Sequence, residues 1–158
     1  MILGVYTKSL GPVFARALRE GGVRRALVVC GQEGLDEISI AGGTWAWKLD
    51  EDGSITESVL HPSHFGLPAY PLDSVTGSTP AANAETLTAI LCSKPAPTLP
   101  HPISLDAIKT FILLNAAALL VVAGVARDYK HGVALARESI DSGKAWHAIE
   151  EFRGLKAL

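Results

Sequence analysis

Charge is scarce in this sequence, and basic runs are missing altogether. Asp, Glu, Lys and Arg make up 19% of the 158 residues, and 14 basic against 16 acidic side chains leave a formal net charge of −2. That balance argues against a polyanion-binding surface, so no nucleic-acid partner is expected. Cysteine is scarcer still. Cys30 and Cys92 each lie inside an apolar segment. They read as buried free thiols of a reducing compartment rather than a disulfide framework, and a cytoplasmic location is expected. The opening segment, MILGVYTKSLG, has neither a basic start nor a sustained apolar stretch and is no signal peptide. A bilayer-length apolar run is also missing. The one suspect, FILLNAAALLVVAGVA at 111–126, has 16 residues and contains Asn115 and Gly124. It falls short of the roughly 20 residues that span a bilayer. It reads as a wholly buried core helix, and no membrane contact is expected.

What the sequence has in quantity is apolar residues, 48% of the chain, enough for one domain with its own core. Residues 2–6 read as a short strand. Ser9 reads as a helix N-cap with Pro12 in the first turn, Leu10, Phe14, Ala17 and Leu18 share a face, and Gly21-Gly22 stop the helix. The apolar run 25–30 is a second strand, suited to a parallel sheet covered on both sides. Strand, helix and strand together predict a right-handed βαβ unit. Residues 44–49 and 54–60 alternate around Asp50-Glu51-Asp52-Gly53 and predict a β-hairpin in which Trp45 and Trp47 pack rather than bind.

Residues 61–78 read as loop. Thr79-Pro80 opens a helix with Ala84, Leu87 and Leu91 inward, and the proline-rich stretch 93–102 is a stiff surface connection. Ser104 caps the next helix, with Ile103 and Ile108 placed as a hydrophobic staple. A helix over 127–142 carries the stripe Tyr129, Val133, Ala136 and Ile140 and stops at Gly143. A short final helix buries Trp146, Ile149 and Phe152. The predicted architecture is a small α/β domain: a partial parallel or mixed sheet, a β-hairpin and helical layers.

The candidate chemistry lies in Gly31–Ser39, GQEGLDEIS, directly after the second strand. Asp36 and Glu37 are adjacent there. On a regular strand they would point to opposite faces, but in a glycine-bearing loop they can converge. Two readings compete. The acids are solvated turn residues, or they hold a hard cation in the way Mg2+ is held by one or two carboxylates plus a substrate phosphate. Their place beyond a strand's carboxyl end is where open α/β sheets bind ligands. His61, His64, His101 and His147 have no recognised metal-ligand spacing, and Ser9, Ser39 and Ser54 lack a nucleophile-elbow context. Asn115 reads as a satisfied buried amide that fixes packing.

Val28-Val29-Cys30-Gly31 followed by Gly34-Leu35-Asp36-Glu37-Ile38-Ser39 resembles the metal-binding signature of anthranilate phosphoribosyltransferases. The resemblance extends through Gly4-Val5-Tyr6, Phe65-Gly66-Leu67, the segment from Gly77 to Leu91, Leu114-Asn115-Ala116-Ala117, and Gly132 to Lys144. Ser78 and Thr79 depart from the family's commoner Gly-Asp. The resemblance implies that phosphoribosyl is transferred from phosphoribosyl pyrophosphate to anthranilate, with release of pyrophosphate, in tryptophan biosynthesis. It also implies Mg2+ at Asp36 and Glu37, and a homodimer when complete.

The resemblance covers only the C-terminal half of the family's usual length. The family's Gly-Thr-Gly-Gly-Asp phosphate loop, its Lys-His-Gly-Asn stretch and its anthranilate-gripping arginine have no counterpart here. Lys130-His131-Gly132 looks like the second motif, but Val133 follows it inside an amphipathic pattern, so it reads as helix surface. An N-terminal half is therefore expected as partner. The isolated chain is expected to be inactive, with an unpaired strand edge and exposed apolar surface. Two alternatives remain at this point: a non-catalytic α/β binding module derived from the family, or a nucleoside phosphorylase relative.

Overall fold

Ala26, Leu27, Val28, Val29, Cys30 and Gly31 form a strand with no solvent-facing side, and that strand organises the molecule. The computed structural model of the protein describes residues 1–95 and 97–154. In it β1 (Ile2–Gly4) runs parallel to β2 (Ala26–Gly31), and β2 pairs antiparallel with β3 (Thr44–Leu49). β3 pairs antiparallel with β4 (Ile55–Leu60), giving the order β1-β2-β3-β4. The sheet is mixed. The expected parallel core is confined to β1 and β2, because no helix connects β2 to β3 and the chain simply turns back.

Alternate side chains of β2 enter two separate cores, as a strand's period of two requires. Leu27 and Val29 join the larger core, while Val28 and Cys30 join a smaller one with Val5, Ala15 and Trp47. The smaller core is closed by α1 (Gly11–Glu20), which turns Gly11, Ala15 and Leu18 toward the sheet rather than Phe14 and Ala17. Phe14 is 40% exposed. The reason is Trp47. A Cβ at Gly11 would overlap its indole ring, so the helix presents its smallest residues there. Ser9 is not the cap of α1. A 3-10 turn, Lys8–Leu10, precedes the helix, and the Ser9 hydroxyl pairs with that of Thr7 at 3.3 Å.

The other face of the sheet carries α2 (Pro80–Leu91), α3 (Leu105–Val122), α4 (Tyr129–Asp141) and α5 (Lys144–Gly154). Their starts follow the sequence: Thr79, Ser104 and Asp128 side chains accept from the backbone N–H three residues on. Gly132 lets α4 approach α3, where a Cβ would stand 2.7 Å from the Ala117 carbonyl oxygen. The predicted α4 stripe holds, with Val133, Ala136 and Ile140 buried and Tyr129 stacked on Phe65 at 4.4 Å between ring centroids.

Other buried faces also differ from the sequence pattern. The α2 face is Thr86, Ala89, Ile90 and Leu91. Leu87 is 39% exposed, and Ala84 is exposed too. Apolar residues surround α2 almost evenly, so its partners rather than its periodicity select the buried side. On α5, Trp146 and Ile149 pack against the larger core, but Phe152 is 76% exposed one turn beyond the last packing residue. The apolar run at 111–126 lies mostly in α3, which by length and a mean hydropathy of 1.9 would suffice to cross a membrane. Leu113, Leu114, Ala117 and Ala118 place it in the larger core, yet Leu119 is 49% exposed, so the helix is not buried all round. The loop 61–78 also contains two 3-10 turns, Pro62–Phe65 and Leu72–Val75, with Phe65 buried.

Candidate functional site: an acidic loop at the end of the parallel strands

Beyond Gly31 the chain closes a tight loop. The Gly31 N–H donates to the Leu35 carbonyl at 2.7 Å, and the Gly34 N–H donates to the Gly31 carbonyl at 2.9 Å. Gly34 has φ +85°, a conformation that other residues adopt only with strain. The loop then crosses the carboxyl end of β1, where a Cβ on Gly4 would overlap the Asp36 carbonyl. Glycine at position 4 is thus what brings Asp36 and Glu37 over the ends of the two parallel strands.

The acid pair is exposed, while the next three residues, Ile38, Ser39 and Ile40, are fully buried. Ile38 is held from α3. Its N–H donates to Asn115 Oδ1 at 3.0 Å, and its carbonyl accepts from Asn115 Nδ2 at 3.3 Å. The Ser39 N–H donates to Thr44 Oγ1 at 2.8 Å. The Ser39 hydroxyl donates to the Glu33 carboxylate and accepts from the Ala41 and Gly42 N–H groups. Glu33 is therefore committed to its own loop.

Asp36 and Glu37 are in no ion pair among the described residues. Partial burial, and then the adjacent Asp36 charge, raise the Glu37 carboxyl above its ordinary range. A cation would relieve that repulsion. No group of three His, Cys, Asp or Glu placed to hold a metal occurs among the described residues. The pair thus offers two oxygen-only ligands on an open rim. This suits a hard ion such as Mg2+ that keeps water and takes phosphate oxygens, and does not suit a closed all-protein site.

Other candidates do not converge on the loop. His61 and His64 bond within a 3-10 turn, with the His61 N–H donating to His64 Nδ1 at 3.3 Å. His147 faces Glu151 at 3.3 Å on α5. Lys130 and His131 occupy the first turn of α4, where the His131 N–H donates to Asp128 Oδ1 at 2.7 Å. Burial and then the Glu33 charge push the Cys30 thiol up, away from nucleophilic use. A groove of about 310 Å³ lies between α2, Pro97–Pro100 residues and the start of α3, and neither acid lines it. Sequence reasoning did not find Gly4, Thr44 or the loop-binding part played by Asn115. The one available signal was a lone amide inside an apolar helix.

The family model described as "Glycosyl transferase family, a/b domain" matches residues 1–146. The chain belongs to that family. Within the glycosyl transferase family it is 47% identical over 151 residues to an anthranilate phosphoribosyltransferase of Schizosaccharomyces pombe, covering 96% of this chain and 40% of the relative. An anthranilate phosphoribosyltransferase of Desulfitobacterium hafniense is 37% identical over 152 residues. The fold matches the solved anthranilate phosphoribosyltransferase of Saccharomyces cerevisiae in complex with PRPP and Mg, with a TM-score of 0.82 and 34% identity over 96% of this chain and 41% of that one. The Thermus thermophilus enzyme gives a TM-score of 0.75 at 28% identity. The resemblance to anthranilate phosphoribosyltransferases is thereby shown, and so is the α/β fold. The chain spans about 40% of the length of the curated relatives it matches.

Proposed function

We propose that this chain is the C-terminal, cation-holding part of an anthranilate phosphoribosyltransferase. The complete enzyme would transfer phosphoribosyl from phosphoribosyl pyrophosphate to anthranilate and release pyrophosphate, as a step of tryptophan biosynthesis. The observation that carries the reading is the Asp36–Glu37 couple, in no ion pair among the described residues and fixed over the carboxyl ends of β1 and β2 in a chain of this family. Mg2+ held there would stabilise the negative charge that develops on the leaving pyrophosphate.

The rest of the work of this chain is placement. Asp36 and Glu37 supply the negative rim, Gly4 lets their backbone cross the strand end, and Gly34 supplies the turn before them. The anomeric carbon becomes oxocarbenium-like, so orientation and charge carry the reaction and no protein nucleophile is required. The sequence has no glycine-rich phosphate loop, so grip on the phosphates and on anthranilate would come from an N-terminal half and, by this reading, from a homodimeric whole. A reducing, cytoplasmic setting accords with the buried free Cys30.

The test is complementation. Co-expression with a segment containing the phosphate loop of a relative should yield Mg2+-dependent anthranilate consumption, and the chain alone should yield none. Turnover by the chain alone, or a reconstituted activity indifferent to Asp36→Asn with Glu37→Gln, would reject the reading.

A further inference from the structure

Asn115 is an anomaly in its own helix. It stands among Leu113, Leu114, Ala116 and Ala117, where an amide has no apolar role. Its amide makes three hydrogen bonds. Nδ2 donates to the Phe111 carbonyl at 3.2 Å and to the Ile38 carbonyl, while Oδ1 accepts from the Ile38 N–H. Two opposed bonds to a single residue's backbone are what a neighbouring strand would give. Ile38 lies between β2 and β3 and has no ladder partner, so the side-chain amide takes that place.

The consequence falls on the acids. Leu35 is fixed through its carbonyl by the Gly31 N–H, and Ile38 is fixed at both backbone groups by Asn115. Asp36 and Glu37 are the residues between these two anchors, with the Asp36 carbonyl lying against Gly4. A two-residue backbone span held at both ends has few conformations, so the directions in which its two side chains leave the backbone are set partly from α3. Among the side chains of this size, Asn alone presents a donor and an acceptor together at that reach: Asp lacks the donor, Leu lacks both, and Gln is a methylene too long.

We infer that Asn115 is a positioning residue for cation binding, acting through the Ile38 backbone to hold Asp36 and Glu37 in a ligating arrangement. The inference rests on the reading of the pair as cation ligands. Residues that orient metal ligands from behind typically change affinity by about 10–100-fold when removed.

The experiment titrates Mn2+ alone, as the probe ion, into the 158-residue chain. It follows free Mn2+ by paramagnetic resonance and the broadening of backbone amide signals by NMR. In the unsubstituted chain the amides of 34–38 should broaden first. Asn115→Leu should weaken Mn2+ binding by about 10-fold and blur that localisation. Leu113→Ala, which removes core packing from the same helix but no hydrogen bond to the Ile38 backbone, should leave the affinity of the folded chain within about twofold, well short of the Asn115 loss. Asn115→Ala should act in the same direction as Asn115→Leu, and is read alone if the leucine variant does not fold. Unaltered affinity in the Asn115 variants, or an equal loss in Leu113→Ala, overturns the positioning role while leaving the cation reading intact. Equal Mn2+ binding by the unsubstituted chain and by Asp36→Asn with Glu37→Gln overturns both.

Discussion

The molecule has two acidic turns, and they have opposite electrostatics. The hairpin turn between β3 and β4 carries Asp50, Glu51 and Asp52, and each is answered locally. Lys48 Nζ lies 2.7 Å from Asp50, Arg25 Nε lies 3.8 Å from Glu51, and the Ser54 N–H donates to Asp52 at 2.9 Å. Hydrogen bonding from the Ser54 side chain, and then from its N–H, holds the Asp52 carboxyl below its ordinary range. The loop after β2 has as many acids, Glu33, Asp36 and Glu37, yet Glu37 is raised, by partial burial and then by Asp36. Each hairpin acid has a cation or a hydrogen-bond donor beside it. The Asp36–Glu37 couple is held in place and meets no counter-charge among the described residues. Acid count therefore does not locate a cation site, whereas unanswered charge on an ordered backbone does.

The largest effect should come from breaking the order of the second loop. Gly4→Ala drives a Cβ into the Asp36 carbonyl, against backbone that cannot yield as a flexible side chain would. A loss of about 3 kcal/mol is expected, measured as a lowered urea midpoint. A loss under about 0.5 kcal/mol, the usual range of a surface change, would mean that the loop moves freely away from β1.

Exchanging the acids sharpens the contrast next. Asp36→Asn with Glu37→Gln should abolish measurable Mn2+ binding without loss of thermal stability. Asp50→Asn with Asp52→Asn should leave Mn2+ binding intact and lower the melting temperature. If the hairpin pair bound Mn2+ equally well, the distinction between answered and unanswered charge would collapse.

The smallest effect is in pH dependence, where the two turns carry opposite signs. The folded state holds the Glu37 proton more tightly than the unfolded chain does. Its contribution therefore falls as pH rises from its ordinary value of 4.5 through the raised folded value. Asp52 behaves inversely. Its contribution is present above its ordinary value of 3.8 and is lost as pH falls through the lowered folded value. Urea midpoints across the acid range should show Glu37→Gln flattening the first slope and Asp52→Asn the second. Identical profiles in both variants would remove the electrostatic difference.

Much of this was readable in the residues. The hairpin and its turn followed from alternation around Asp50-Glu51-Asp52-Gly53, and Thr79 and Ser104 marked their helix starts. The acid pair stood out by its place after an all-apolar strand. What failed were the Ser9 cap and, more often, choices of face. Phe14 and Leu87 were expected inside and lie partly exposed, because Trp47 and the packing of α2 against its neighbours select the buried sides.

The sequence by itself determined most of the elements, the starts of α2 and α3 and the residue types at the candidate site, since these depend on neighbours within a few positions: apolar period, capping hydroxyls and turn glycines. Tertiary structure alone decided what those residues meet. Asn115 lies 77 positions from Ile38, and Gly4 reaches Asp36 only because β1 and β2 run parallel. Contacts of that separation leave no periodic trace in one chain. The arrangement that turns two adjacent carboxylates into a site is therefore a property of the fold.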